Sequence, residues 1–529
     1  MTGTWKLVRL ILRRDRVVMP LWVVFLGVIP LSYIATIDEL FPTAAGKAGY
    51  AATSAHNAGF VALYGQLFGS SIGELVTWRA GFLPVMVGLV SVLTVIRHTR
   101  AEEEAGRHEL IGATVVGRHA GLAAAIVATC AANVVMGALL AVGMAGQGLP
   151  GAGSVAFGLQ LAASGWVFAG IAAVAAQLTT GAGTARGIAM TVLGAAYLLR
   201  AVGDISGMTS GALAWLTGLS PIGWVQAIRP YGDDRWVIVA VVAVATLVLT
   251  AAAVVLSSRR DVGAGLLPPR PGPSVGALGS PMALAWRLHR GLLAAWVGGF
   301  VVLGVVLGYL AKDVGDLVGD NQELADVFAR MGGAGGLIDS YLAGMAGIFG
   351  LIAGAYAIQA MLRARAEESG GRAEPVLGTA VGRLAWVGSH LFFSLLGPAA
   401  VLLVAGLALG LTHGLNTGDV GGALPKLLAS TLVQLPAVWI LSAITVVLFG
   451  VLPRYAAAAW AALAVCLLFG MVGSAIGLDQ WVLDLSPFTH LPHLPGGHVT
   501  ALPLVLLSGI AVALLAGGLT AFRRRDVPS

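Results

Sequence analysis

The stretch Trp236–Val262, WVIVAVVAVATLVLTAAAVVLSSRRDV, combines two features that decide the fold. Its first part, 236–256, is an unbroken apolar run, and a helix of about 20 apolar residues crosses a bilayer with its backbone groups hydrogen-bonded internally. Its second part contains two arginines, Arg259 and Arg260, and arginines at the end of a span mark the cytosolic side of the membrane. The stretch therefore predicts a membrane-spanning helix that ends in the cytosol.

The composition extends this prediction to the whole chain. Of its 529 residues, 57% are hydrophobic and 11% are charged, and the mean hydropathy is +0.88. Because soluble proteins carry about 25% charged residues, we predict an all-α polytopic membrane protein. The net charge of +6 comes mainly from arginines at the ends of apolar runs and does not indicate nucleic-acid binding. Cys130 and Cys466 both lie inside apolar runs, so no disulfide is expected.

About twelve apolar segments are long enough to span the membrane, six in each half of the chain. They lie near residues 17–36, 81–97, 120–144, 154–179, 187–202, 236–256, 291–311, 342–362, 385–411, 426–451, 456–474 and 501–521. Arginines cluster in the connections on the side of the N-terminus, whereas acidic residues are more frequent on the other side. By the positive-inside rule, this pattern predicts a protein of the cytoplasmic (inner) membrane with both termini in the cytosol.

The chain repeats itself at a separation of 265 residues. RAEEEAGRHE at Arg100–Glu109 returns as RAEESGGRAE at Arg365–Glu374 with seven of ten letters identical, and RRDV at Arg259 returns at Arg524. Six spans bring the chain back to its starting side, so both copies have the same orientation. The sequence therefore predicts two parallel repeats rather than inverted ones.

We predict two transmembrane halves, residues 1–261 and 281–529, joined by a Pro/Gly-rich cytosolic linker at 262–280. Each half starts with a basic amphipathic segment, TWKLVRLILRRDR from Thr4 and PMALAWRLHRGL from Pro281. Such segments are typical of helices that lie along the inner leaflet with their arginines among the headgroups.

Each copy of the charged decapeptide follows the second span of its half. Thr99 and Glu102 fit a capping box, T-x-x-E, which predicts the start of a short helix. Glu103–Arg107 and Glu368–Arg372 fit ion pairs at i, i+4, and the interruption Ser369–Gly371 predicts a shorter or broken second helix. Topology requires only the arginines, and anionic headgroups would repel the glutamates. The mixed charges thus favour docking to a protein over a plain topogenic loop.

These features resemble the membrane subunits of ABC-2-type ATP-binding cassette exporters. The similarity is greatest to the fused, two-half actinobacterial polyketide-antibiotic or multidrug exporters of the tetronasin type. In that family the loop after the second span is a coupling helix that rests in a cleft of the ATPase subunit. The resemblance therefore implies two ATPase-docking sites, formed by Arg100, Glu102, Glu103, Arg107, Glu109, Arg365, Glu367, Glu368, Arg372 and Glu374.

The chain has no phosphate-binding loop of its own. That motif is G-x-x-x-x-G-K-[ST], and the one Gly-Lys pair, Gly46-Lys47, is followed by Ala48. We therefore expect no enzyme activity and no cofactor in this chain. Two copies of a soluble ATPase subunit, which would bind the ATP and magnesium, are the expected partners.

The expected cargo is a hydrophobic or amphiphilic small molecule, because the predicted spans contain few ionisable residues. His390 lies near the start of the ninth span and Arg200 and Asp204 lie near an outer end, and a structural role is the simpler interpretation for each. Side chains that could line a substrate cavity are Phe82, Met86, Tyr197, Tyr356 and Trp460.

Two segments on the outer side invite a functional interpretation. His490, His493 and His498 could ligate zinc, but no cysteine or carboxylate completes the set, so no metal site is assigned. Asp320–Leu342 fits an amphipathic helix that could form an extracellular lid or lie in the membrane interface.

Two other classes of function remain open. Proton-driven transporters of the major facilitator type also have two parallel six-span halves, although their basic loop motif, G-x-x-x-D-R-x-G-R-[RK], differs from the decapeptide here. A membrane scaffold without transport activity is the third possibility. Neither the cargo nor the direction of transport follows from the residues alone.

Overall fold

Helices joined by turns make up the described part of the chain, which contains no β-strand. The computed structural model describes residues 2–107, 109, 113–208, 210–267, 278–311, 336–470, 479–497 and 500–526. The chain forms two compact units, Met1–Pro271 and Gly272–Ser529. The division falls inside the Pro/Gly-rich segment that separates the two halves of the sequence repeat.

Eleven helices in the described residues are long and apolar enough to cross a membrane, by length and composition. Each one coincides with a predicted span, so the prediction of an all-α polytopic membrane protein is confirmed. The eleven are Val18–Leu40, Leu83–Glu104, Ala120–Gly146, Gly151–Leu178, Ala182–Met208, Trp236–Ser258, Pro281–Leu310, Ile338–Ser369, Arg383–Thr417, Val420–Val451 and Ala501–Arg524.

The first unit contains six spanning helices and the short helix Thr4–Arg14, and the span Leu83–Glu104 is divided at Thr99 into two helices. In chain order these are α1 (Thr4–Arg14), α2 (Val18–Leu40), α3 (Leu83–His98), α4 (Arg100–Glu104), α5 (Ala120–Gly146), α6 (Gly151–Leu178), α7 (Ala182–Met208) and α8 (Trp236–Ser258). We call the end of the unit that carries α4 its loop end. Further short helices connect the spans at the opposite end, namely Ala44–Ala55, Ala58–Tyr64, Ile72–Arg79, Leu216–Leu219 and Pro221–Gln226.

Helix α6 is the central helix of the first unit and packs against α3, α5, α7 and α8. Small residues allow the closest of these approaches. A Cβ atom on Gly158 of α6 would lie 2.2 Å from the backbone oxygen of Gly137 on α5, so only glycine fits there. In contrast, α8 exposes Val237, Leu247 and Val248, as expected of a helix that faces lipid.

The second unit repeats this arrangement. Its helices are α9 (Pro281–Leu310), α10 (Leu337–Ser369), α11 (Ala373–Leu377), α12 (Arg383–Thr417), α13 (Val420–Leu432), α14 (Leu435–Val451), α15 (Ala459–Leu468) and α16 (Ala501–Arg524). Its shorter elements are the 3₁₀ turns Pro453–Ala458 and Pro487–His490 and the helix Gln480–Leu483. The loop end of this unit is the end that carries α11.

Equivalent helices pack against each other in the two units. The contacts of α2 with α5, of α3 with α6 and of α6 with α8 return as those of α9 with α12, of α10 with α14 and of α14 with α16. The sequence repeat is therefore also a repeat of packing within each unit.

The two units differ in how they begin. In the first, α1 is a separate helix that buries Val8 and Ile11 and carries Arg13 and Arg14 in its last turn, as predicted. In the second, the expected separate amphipathic helix is wrong, because α9 runs without a break from Pro281 to Leu310. Helix formers and apolar residues continue through that segment, so nothing there ends the helix.

The predicted eleventh span, 456–474, is not among the spanning helices of the described residues. A 3₁₀ turn occupies Pro453–Ala458, and α15 then covers only Ala459–Leu468. Residues 471–478 lie outside the described residues. The preceding helix ends at Val451, two residues before Pro453, and a proline there favours a helix end because it lacks a backbone N–H and its ring crowds the carbonyl four positions earlier.

Candidate functional site

The first charged loop begins where α3 ends. Thr99 leaves the helical conformation, with φ −121° and ψ −87°, and α4 starts at Arg100. The predicted capping box is wrong, because the Thr99 hydroxyl donates to the carbonyl of Val95 at 2.7 Å and thus serves the end of α3. Glu102 is consequently free to pair with other groups.

Arg100 points into the protein and is 1% exposed. Its guanidinium donates to the carbonyls of Thr180 (2.9 Å) and Gly263 (3.0 Å) and to the Glu103 carboxylate. These partners lie between α6 and α7 and in the segment after α8. Arg100 therefore joins three connections at the loop end.

Glu103 accepts two hydrogen bonds from one guanidinium. Arg260, which follows α8, donates to its two oxygens at 2.9 and 2.7 Å. The Nε of Arg260 donates to the Gln177 side chain at 2.9 Å. Bidentate, charge-assisted pairs of this kind are stronger and geometrically more specific than single hydrogen bonds.

Glu102 is the partner of Arg107, which donates to its carboxylate at 2.8 and 2.9 Å. The predicted pair of Glu103 with Arg107 is therefore wrong. Gly106 adopts φ 70° and ends the helical course, so Arg107 reaches the carboxylate five positions earlier. The hydrogen bond with Glu102 raises the pKa of Arg107. Arg14 of α1 also contacts Glu102, at 2.8 Å.

The second loop has a different helical course. Helix α10 continues from its span through Glu367 and Glu368 to Ser369, and Gly371 then adopts φ 68°. The predicted interruption at Ser369–Gly371 is present. However, the charged residues before it extend the spanning helix, so the second copy has the longer helix of the two.

Ion pairs in the second loop nevertheless follow those of the first. Arg372 donates to Glu367 at 2.9 Å, and the predicted pair of Glu368 with Arg372 is wrong. Glu368 instead accepts from Arg525, which follows α16, at 2.8 Å, and Arg365 lies 3.8 Å from the same carboxylate.

A single offset of 265 residues relates these contacts. The pairs Glu102–Arg107 and Glu103–Arg260 return as Glu367–Arg372 and Glu368–Arg525. Sequence reasoning noted the repeated RRDV but did not connect Arg260 and Arg525 to the charged loops. The shared offset was the signal that could have made that connection.

Burial divides the ten predicted docking residues into two sets. Those that face inward are Arg100, Glu102, Glu103, Glu367 and Glu368, with Arg365 half-buried. Those that are exposed are Arg107, Glu109, Arg372 and Glu374. The exposed set consists of the same two positions in each unit, so each loop end presents a basic and an acidic side chain to solvent.

Three of the predicted cavity residues lie together in the first unit. Phe82 and Tyr197 make an edge-to-face contact with ring centroids 5.6 Å apart, and Met86 packs on the same buried cluster. In the second unit, Tyr356 is fully buried, whereas Trp460 is 40% exposed. Whether all five contribute to substrate binding stays a prediction.

An amphiphilic groove of about 520 Å³ lies at the loop end of the first unit. Its walls include Leu7 and Ile11 of α1 together with Glu102, Glu109 and Arg118. The groove therefore adjoins the exposed residues of the first charged loop.

No cluster of three or more ligating side chains occurs among the described residues, which include His490 and His493. His490 lies 2.8 Å from the carbonyl of Asp484 and donates its Nε2 hydrogen there. His498 lies outside the described residues, as does most of the predicted lid at Asp320–Leu342.

Two buried polar pairs lie within spanning helices. The Nε2 of His289 on α9 lies 3.0 Å from the Nδ1 of His390 on α12. On α7, the Arg200 guanidinium lies 3.6 Å from Asp204 and donates to the carbonyls of Val61 and Ala62 at 2.8 Å. Sequence reasoning singled out His390 and the Arg200–Asp204 pair but not His289.

Comparison with known proteins assigns the chain to a family. It is 45% identical over 530 residues to the multidrug efflux system permease protein Rv1217c of Mycobacterium tuberculosis, covering 99% of this chain and 95% of that protein. The family model of the C-terminal domain of the multidrug efflux system permease Rv1217c matches residues 278–523. The chain, with its two repeated units of apolar helices, is therefore a membrane permease of the Rv1217c multidrug efflux family.

Proposed function

We propose that this chain is the membrane subunit of an ABC-2-type exporter that carries hydrophobic or amphiphilic, drug-like compounds out across the cytoplasmic membrane. Two copies of a separate ATPase subunit supply the energy, and they hold the ATP and magnesium. By the positive-inside rule, the loop ends and both termini face the cytosol. The tetronasin-type subclass belongs to the same proposal.

The observation that carries the proposal is the pair of exposed charges repeated in both units. Arg107 and Glu109 in the first loop correspond to Arg372 and Glu374 in the second, and all four side chains are exposed. Their inward neighbours are already paired within the chain, so the loops are held in place before a partner binds. A surface with both signs of charge suits a specific protein partner.

Charge reversal tests the docking surface. We expect a Walker-motif ATPase gene beside the gene for this chain, and its product to co-purify with the permease from detergent. The double variant Glu109→Arg/Glu374→Arg should lower the recovered ATPase by about tenfold or more, because like charges across an interface cost several kcal/mol.

A control reverses the charge of a single glutamate elsewhere. Glu39→Arg alters an exposed glutamate at the end of α2, opposite the loop end. It should leave ATPase recovery unchanged. Equal recovery with the double variant and the wild type would refute the docking surface.

The buried pair His289–His390 favours a second candidate, a proton-driven transporter. Ionisable side chains inside spans often mark proton pathways, and both imidazoles are buried. Transport into proteoliposomes separates the two candidates. The ATP-driven exporter requires ATP and tolerates a protonophore, whereas the proton-driven transporter stops when the protonophore is added.

A further inference from the structure

In the first unit, residues before and after the turn of the charged loop both bind the end of the last span, α8. Before the loop's turn, Glu103 binds the Arg260 guanidinium, two residues beyond the end of α8. After it, Arg118 donates to the carbonyls of Ser257 (3.2 Å), Ser258 (3.3 Å) and Arg260 (2.8 Å). The connection between α3 and α5 is thus fastened to the end of α8.

The second unit has the same double attachment. Glu368 accepts from the Arg525 side chain at 2.8 Å, and Arg383 donates to the Arg525 carbonyl at 2.7 Å. Arg383 and Arg525 follow Arg118 and Arg260 by the same 265 residues that separate the two loops. Two loops with different helical courses therefore keep the same connection to the last span of their unit.

These connections differ from the other ion pairs of the loops. Glu102–Arg107 and Glu367–Arg372 link residues five positions apart, so they stabilise the loop itself. The two Glu–Arg connections to the last spans join residues 157 positions apart. Their side chains are largely buried. The exposed fractions are 6% for Arg260 and 11% for Glu103 in the first unit, and 13% for Arg525 and 2% for Glu368 in the second. Burial limits screening by salt and keeps the geometry fixed.

We infer that Arg260 and Arg525 are positioning residues that transmit movement of the charged loops to α8 and α16. This inference rests on the proposed function, because the movement originates in an ATPase seated on the exposed face of the loops. When a loop moves, the last span of its unit moves with it through the Glu–Arg pair. Arg118 and Arg383 hold the end of that span against the loop by their hydrogen bonds to its carbonyls. Without the pair, ATP hydrolysis continues but moves the last span less.

The test uses neighbouring arginines as matched controls. Arg260→Gln/Arg525→Gln removes both connections, and Arg260→Lys/Arg525→Lys keeps the charge but not the planar fork. The control Arg259→Gln/Arg524→Gln removes the same charge from the exposed neighbours. Each permease is purified with its ATPase and reconstituted, and three quantities are measured: bound ATPase, the rate of ATP hydrolysis, and ethidium (a fluorescent cationic dye) transported per ATP.

We expect the Gln pair to bind ATPase and hydrolyse ATP like the wild type while ethidium transported per ATP falls by about 10-fold, within the usual range of coupling between sites. For the Lys pair, ethidium transported per ATP should lie between the values for the Gln pair and the wild type. The control should transport as much ethidium per ATP as the wild type. If the Gln pair does not fold, as judged by gel filtration, the Lys pair is compared with the control instead.

Two results would overturn the inference. One is unchanged transport per ATP in the Gln pair, or in the Lys pair where it stands in. The other is a loss of bound ATPase in proportion to the loss of transport, which would make the pairs mere supports of the docking surface. A wild-type permease that binds no ATPase refutes the proposed function itself, before any variant is compared.

Discussion

At the level of single residues, the buried guanidinium of Arg200 allows a sharp prediction. Arg200 is fully buried in α7, pairs with Asp204, and donates to carbonyls at the end of the short helix Ala58–Tyr64. Removing one partner of a buried ion pair costs about 3–5 kcal/mol, because the other charge is left uncompensated. We therefore expect Arg200→Met to lower the apparent melting temperature in detergent markedly.

The double variant Arg200→Met/Asp204→Asn should recover part of this loss. The introduced amide carries no charge and can still accept a hydrogen bond from Thr217, which donates to Asp204 at 2.9 Å. Arg186→Met removes an exposed arginine from the same helix and should leave the melting temperature unchanged. Equal melting temperatures for the single and double variants would contradict the assignment of an uncompensated charge.

The sequence located the charged residues but not their partners. The spacing predicted an ion pair between Glu103 and Arg107. In the structure, the left-handed turn at Gly106 brings Arg107 to Glu102 instead. Glu103 is taken instead by Arg260, far along the chain. Local periodicity describes contacts along a helix, and it contains no information about groups that the fold brings in from a distant segment.

At the level of helices, the residues on either side of α1 are attached to the end of α3 and to the connection between α3 and α5. Asp15, which follows α1, is buried and lies 2.6 Å from His98 and 3.1 Å from Arg97 at the end of α3. The backbone amide of Gly117 also donates to the carbonyl of Thr2 at 2.9 Å. The orientation of α1 is thus set by protein contacts as well as by the membrane surface.

Cysteine labelling tests this attachment. In a background with Cys130→Ala and Cys466→Ala, the variant Val8→Cys should react slowly with a maleimide, since Val8 is 5% exposed. Adding Asp15→Ala should raise the rate by about tenfold, equivalent to ~1.4 kcal/mol of local opening free energy. Arg9→Cys, on the exposed face, should react quickly in both backgrounds, and a Val8→Cys rate unaffected by Asp15→Ala would contradict the role of Asp15.

Hydropathy predicted where spans occur more reliably than where helices break. All eleven spanning helices of the described residues were placed from their apolar runs. The helix breaks at Asp15–Val17 in the first unit but continues through the corresponding part of α9 in the second. The sequence did not distinguish these two outcomes, because both segments are basic and amphipathic. Breaks depend on tertiary contacts such as the burial of Asp15, which an average over a sequence window does not register.

At the level of the whole molecule, the repeat has a consequence for sidedness. Within each unit the contacts place the charged loop and the end of the last span together. The repeat is parallel only if both loop ends face the same side of the membrane. The proposed function requires that side to be the cytosol, where ATP is available.

Four single cysteines, introduced into the background lacking Cys130 and Cys466, test this arrangement. Glu109→Cys and Glu374→Cys report on the loop ends, while Asp233→Cys and Gln480→Cys report on exposed connections before the last spans. A membrane-impermeant maleimide should label the first two only in inverted vesicles and the last two only in intact cells, because arginine-rich connections are retained in the cytosol. Labelling of Glu109→Cys and Glu374→Cys from opposite sides would show an inverted repeat, and a single ATPase pair could not then reach both loops.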